Sequence, residues 1–158
     1  MNMYGDKSGW DRLFASLVYL LPFFDGIGFG GFLFQQFHLE SIFGLLLGIY
    51  MTLPLQPYTG LIVFFVLLFA VVRNERVSHF IRYNTMQAIL VDLVLLLFGL
   101  LLDVAKITMQ GGLLVETLYN TVFLGLLAVV GYSVFQSVMG RYAEIPVISD
   151  AVNMQVRN

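Results

Sequence analysis

The sequence predicts an all-α, polytopic membrane protein, a bundle of four transmembrane helices with a short interfacial or re-entrant helix between spans one and two. Three observations carry this. The 158 residues are 59% hydrophobic and 11% charged, with a mean hydropathy of +0.86, whereas a soluble domain carries roughly a quarter charged residues. Four separate stretches approach the ~20 apolar residues that cross a hydrocarbon core. The cations fall almost entirely in the segments that a four-span chain places on one side. Residues 1–158 are therefore expected to form a single integral membrane domain.

The first span, about 13–34, contains "LPFFDGIGFGG". Pro22 has no N–H, which strips the carbonyl near Val18 of its helical partner, and Asp25 and four glycines follow, so a kinked or broken helix is expected. Gly26, Gly28 and Gly31 fit G-x-G-x-x-G, but no strand precedes them and no acidic ribose ligand follows at the right distance. A dinucleotide site is rejected. Gly26 and Gly30 read instead as a close-packing face for a neighbouring helix.

The run 41–53 is too short to span and ends in "PLQP", which suits an interfacial or re-entrant helix. The second span, 53–72, has Thr59 and Gly60 near its start and nothing polar afterwards. Between spans two and three lies a basic loop with Arg73, Arg76 and Arg82. Lys7, Arg12, these three arginines, Arg141 and Arg157 then share one side against Lys106 alone, seven cations to one. Counting 41–53 as a span would weaken that asymmetry, so both termini are expected on the cytoplasmic or stromal face.

In the third span, 83–102, steps of 100° per residue gather Asn84, Ala88, Asp92, Gly99 and Asp103 within about a third of the circumference. A carboxylate at mid-span costs at least ~2.5–3.5 kcal/mol against lipid, so Asp92 should face the bundle, a partner chain or water. Two uses stay open: a hydrogen-bonded acid that locks packing, and a group on a conduction path. The polar intramembrane face thus comprises Asn84, Asp92, Asp103 and, from the first span, Asp25. In the fourth span, 113–139, Gly125, Ala128, Tyr132 and Gln136 share a stripe that reads as a packing surface, and the tail is 140–158. Glu116 and Asn120 fall toward the opposite membrane face.

Several classes are excluded or disfavoured. The net charge of −2 offers nothing to a polyanion, so nucleic acid is not expected as a partner. Zero cysteines exclude disulfides, thiolate metal sites and cysteine nucleophiles. His38 and His79 are far apart without ligand-spaced companions, so no metal site is expected. Asp25 and Asp92 could form an intramembrane aspartyl pair, but neither lies in the setting of an intramembrane protease; neither catalysis nor a cofactor is expected. The start, "MNMYGDKSGW", is neither a signal nor a transit peptide, so any targeting is expected to be internal.

The stretches "VVRNERVSHFIRYNTMQAILVDL", "GRYAEIPVISDAVNMQVRN" and "LVYLLPFFDGIGFG", in this order and spacing over about residues 10–157, resemble the twenty-kilodalton Tic family. That family is the four-helix membrane subunit of the protein translocon of the chloroplast inner envelope, with cyanobacterial and plastid-encoded relatives. The resemblance implies a subunit that helps preproteins cross the inner envelope, with both termini stromal. Its implied partners are other membrane subunits and a translocating polypeptide, with anionic lipid at the arginine loop. Plant members carry a cleavable transit peptide that is not read here, which points to a cyanobacterial or plastid-encoded member. Cyanobacteria import no chloroplast preproteins, so a relative there is expected to act in a different transport or assembly process. A structural or assembly protein without a passage of its own is the competing class. A small solute or ion carrier ranks third, because it would need inverted repeats or paired broken helices.

Overall fold

A computed structural model describes residues 7–54 and 58–156. Arg157 and residues 55–57 of the expected second span lie outside the described residues. Those described are helical throughout, with no strand among them.

The chain enters α1 (Gly9–Leu17) through a capping box, in which Ser8 Oγ accepts from Asp11 N at 3.1 Å and Asp11 Oδ2 accepts from Ser8 N at 3.2 Å. α2 (Leu20–Gly26), a 3₁₀ turn (Ile27–Gly30) and α3 (Gly31–Gln36) continue the same 28-residue path. The break expected at Pro22 is present: the Val18 carbonyl that proline cannot serve accepts instead from Leu21 N at 3.3 Å. The four-residue 3₁₀ turn forms the second irregularity.

After a turn at His38 (φ 55°), α4 (Glu40–Met51) folds back along α3. Phe43 meets Phe34 with ring centroids 5.2 Å apart, and Tyr50 stacks on Phe24 at 6.1 Å. α4 therefore climbs from the far end of the first long path to about its middle. α5 (Thr59–Val66) starts there, with Gly60 against Asp25, and runs through a π turn (Leu67–Val72) to the end where α1 began. Arg82 Nε closes that turn by donating to Val72 O at 2.9 Å.

α6 (His79–Thr108) runs parallel to the first path, and α7 (Leu113–Val138) returns antiparallel. Between them the backbone takes positive φ at Gln110, Gly111 and Gly112. Ser78, the N-cap of α6, also donates to Asp11 Oδ1 at 3.0 Å, tying the loop to the start of α1. The tail folds over this same end as α8 (Ile148–Gln155), where Val152 and Val156 pack with Val72, Tyr83, Met86 and Ile89.

Three helical paths, Gly9–Gln36, His79–Thr108 and Leu113–Val138, are long and apolar enough to cross a membrane. The expected full second span is shortened. Thr59 Oγ1 donates back to Pro54 O at 2.5 Å, and the helix begins only at Thr59. The run expected to be non-spanning is a helix of 12 residues. End to end, α4 and α5 make the return that one long helix was expected to make.

Candidate functional site

α6 carries polar groups at three levels, each held by different neighbours. Near its start, Asn84 and Gln87 are fully buried, as are Tyr19, Ser133 and Ser137. Asn84 Oδ1 accepts from Tyr19 OH at 3.0 Å and from Ser137 Oγ at 2.8 Å, while its amide donates to Phe80 O at 2.9 Å. Gln87 Nε2 donates to Tyr19 OH at 3.0 Å and Ser133 Oγ at 3.4 Å. Its carbonyl accepts from Ser149 Oγ of α8 at 3.2 Å, and Ser149 also accepts from Ile145 N at 2.7 Å. An unpaired amide in so dry a place costs ~1–3 kcal/mol, and this network leaves neither amide unpaired. It fastens the first path, α6, α7 and the tail together.

Two turns deeper, Asp92 and Asp25 are half-buried and face each other. Asp25 Oδ1 accepts from Tyr50 OH of α4 at 2.7 Å. Gly60 of α5 fits against the same carboxyl so closely that a Cβ there would collide with it. Four segments, α2, α4, α5 and α6, therefore meet at one acid pair, beside the break between the two half-length helices. No group of three metal-ligating side chains occurs among the described residues.

Asp103, at the third level, is exposed and lies near Tyr119 of α7. The expected single face is thus divided. Asn84 and Asp92 differ by roughly 80° around the axis at 100° per residue, enough for the first to enter the α1–α7 side and the second the α2–α4 side.

Gly26 and Gly30 lie where α7 approaches the first path. A Cβ at Gly26 would strike the Leu126 side chain, and one at Gly30 would stand 2.8 Å from the Phe123 ring. Pro22 is buried between. Gly125 and Ala128 make no such contact within the chain: both are exposed, and no atom lies within 4 Å of a Cβ built on Gly125. In the basic loop, Arg82 is spent on Val72 O, Arg73 lies 5.4 Å over the Phe69 ring, and Arg76 is exposed. His79 Nδ1 stands 3.0 Å from Tyr142 OH, and His38 occupies the turn before α4.

Sequence reasoning missed Tyr19, Gln87, Ser133, Ser137, Ser149 and Tyr50 as partners. The signal was there in part: Gln87 follows Asn84 by three residues, and Ser133 and Ser137 are four apart, so each pair shares a helix face.

Residues 3–152 match the family described as "Chloroplast import apparatus Tic20-like". The chain belongs to the Tic20 family. It is 50% identical over 151 residues to the "Tic20 family protein" of Synechocystis sp., covering 94% of each chain. It is 36% identical over 149 residues to "Protein TIC 20-v, chloroplastic" of Arabidopsis thaliana, covering 92% of this chain and 71% of that one. To the "Tic20 family protein Ycf60" of Porphyra purpurea it is 32% identical over 152 residues, covering 92% and 75%. Family membership supports a role in chloroplast protein import at the level of the family, and its apolar helices fit integration into a membrane.

Proposed function

We propose that this protein is a subunit of a membrane translocon that assists preprotein passage across the plastid inner envelope, or does the corresponding work in a cyanobacterial membrane. Its partners are other membrane subunits and the polypeptide in transit, with anionic lipid at Arg73 and Arg76. The chain crosses four times, α4 and α5 together supplying the second crossing, and both ends lie in the stroma or cytoplasm. The basic segments support that orientation, because Lys7, Arg73, Arg76 and Arg141 sit at one end of the bundle. Catalysis, a cofactor and nucleic acid have no part in this reading.

The observation that carries the proposal is the half-buried Asp25–Asp92 pair at the junction of two half-length helices. Acids in hydrocarbon are expensive and face an interior or a wet cavity, and irregular backbone at that depth needs the same shelter. Five helical segments of this size enclose no wide passage, so the polar surface is shared with other subunits or further copies. A scaffold without a passage is the second reading, favoured by the closed hydrogen-bond network around Asn84, which needs no substrate to explain it.

Photo-crosslinking from positions 92 and 103 in native membranes, with a preprotein arrested in transit, separates the two. Capture of the arrested chain is the expected result. Capture of the same fixed membrane neighbours with and without it would establish the scaffold reading. Normal assembly and transport by Asp92→Leu in a strain lacking the native chain would remove that face from function.

A further inference from the structure

Between α6 and α7 runs an apolar groove of about 470 Å³. Val94, Phe98 and Leu101 form one wall, and Leu118, Val122 and Gly125 the other. At the end of the bundle that holds α8, a second hollow of about 1190 Å³ is lined by Tyr132, Gln136, Lys7, Arg141, Glu144 and Asp150, among others. The two lie on one track. Positions 118, 122, 125, 129, 132 and 136 of α7 recur every three or four residues and so share a helix face. Ile148 borders the groove while its neighbour Ser149 borders the polar hollow, so the tail segment forms a wall common to both.

We infer that this track binds one membrane lipid, with an acyl chain in the α6–α7 groove and a polar headgroup of no net charge in the hollow under the tail. Length favours a chain. Leu118 to Val129 is roughly 17 Å along the helix at 1.5 Å per residue, close to the ~15 Å of hydrocarbon in one leaflet. Chemistry excludes an extended polypeptide, because only Thr121 in the groove's lining offers a polar side chain, and a strand there would bury unpaired N–H and C=O groups. The headgroup follows from the charges of the hollow, where Lys7 and Arg141 are balanced by Glu144 and Asp150. Tyrosine and amide groups complete its rim, suiting either a zwitterionic phosphate or an uncharged sugar.

Gly125 supplies a clean test. A Cβ built there meets nothing of the protein within 4 Å, so a larger side chain can extend into the groove from an unobstructed start, whereas Gly131, equally open, lies off the track. The full chain, released from its membrane in mild detergent, is weighed by native mass spectrometry, and the retained lipid is identified by fragmentation. Thermal melts of each variant check the fold. Wild type is expected to retain one lipid whose headgroup is zwitterionic or glycosidic; fragmentation distinguishes these two. Gly125→Phe and the smaller Gly125→Leu should lower occupancy about tenfold, and Gly131→Phe should leave it unchanged. Equal occupancy in wild type and both Gly125 variants, an anionic lipid as the species that the Gly125 variants lose, or no retained lipid would overturn the inference. So would a second copy or another protein's helix that is lost from the Gly125 variants in place of lipid.

Discussion

The Tyr19 hydroxyl stands 3.0 Å from Asn84 Oδ1, both side chains fully buried, joining the first helical path to α6 about two turns above the acid pair. Tyr19 also accepts from Gln87, so removal of its hydroxyl takes one partner from each of two buried amides. Tyr19→Phe should destabilise the protein by ~1–3 kcal/mol in a detergent melt. A cycle combining it with Asn84→Leu should show coupling of ~0.5–2 kcal/mol. Simple additivity would mean that the bond contributes nothing.

The two glycine sets should respond in opposite ways. Gly30→Ala forces a Cβ to 2.8 Å from the nearly inaccessible Phe123 ring and should cost ~1–3 kcal/mol by overpacking. Gly125→Ala adds a methyl group to open space and should be neutral or stabilising by up to ~1 kcal/mol through helix propensity. Paired thermal melts check both, and equal losses would refute the assigned α7 contacts.

Ser149 joins the tail to α6 alongside Tyr142, which meets His79, and the Ala143 carbonyl, which accepts from Tyr83 OH. Ser149→Ala removes the link to Gln87 Oε1 and the acceptor for Ile145 N. A loss of ~1–2 kcal/mol should act first on α8, because the long helices keep their own packing. Limited proteolysis after Gly140 should become several-fold faster while the melting temperature of the bundle moves little. Unchanged cleavage would show that the other contacts anchor the tail without Ser149.

Thr85 is fully buried, and its Oγ1 has no hydrogen-bond partner among the described residues. Thr85→Val keeps the shape and removes an unpaired hydroxyl, so stability should rise by up to ~1 kcal/mol. A loss of more than that amount would identify a bonding partner for the hydroxyl.

Much of this architecture was legible in the sequence because hydrocarbon imposes simple rules. Three apolar runs became long helices, Pro22 broke the first of them, and Gly26 and Gly30 met α7. The helix of the second span starts later than expected, at Thr59, because apolar length alone does not say where a helix starts. The polar face of α6 was seen as one surface because helical projection carries no information about which neighbour stands opposite each residue. Asn84, Asp92 and Asp103 have different partners for that reason. Tyr19, Tyr50 and Ser149 were invisible as partners, since their bonds span 25 to 68 sequence positions. The Gly125 and Ala128 stripe, read as a packing surface, is exposed, and Gly125 lines the α6–α7 groove.

The account depends on α4 and α5 jointly carrying the chain back to the side from which it started. The protein contains no cysteine, so single cysteines placed at Lys7, His38, Arg76, Gln110 and Asn153 can be labelled with a membrane-impermeant maleimide from each side of sealed vesicles. Positions 7, 76 and 153 should react from one compartment, and 38 and 110 only from the other. Labelling of 38 and 76 from the same side would contradict the split second crossing, and the placement of the acid pair inside the membrane would fall with it.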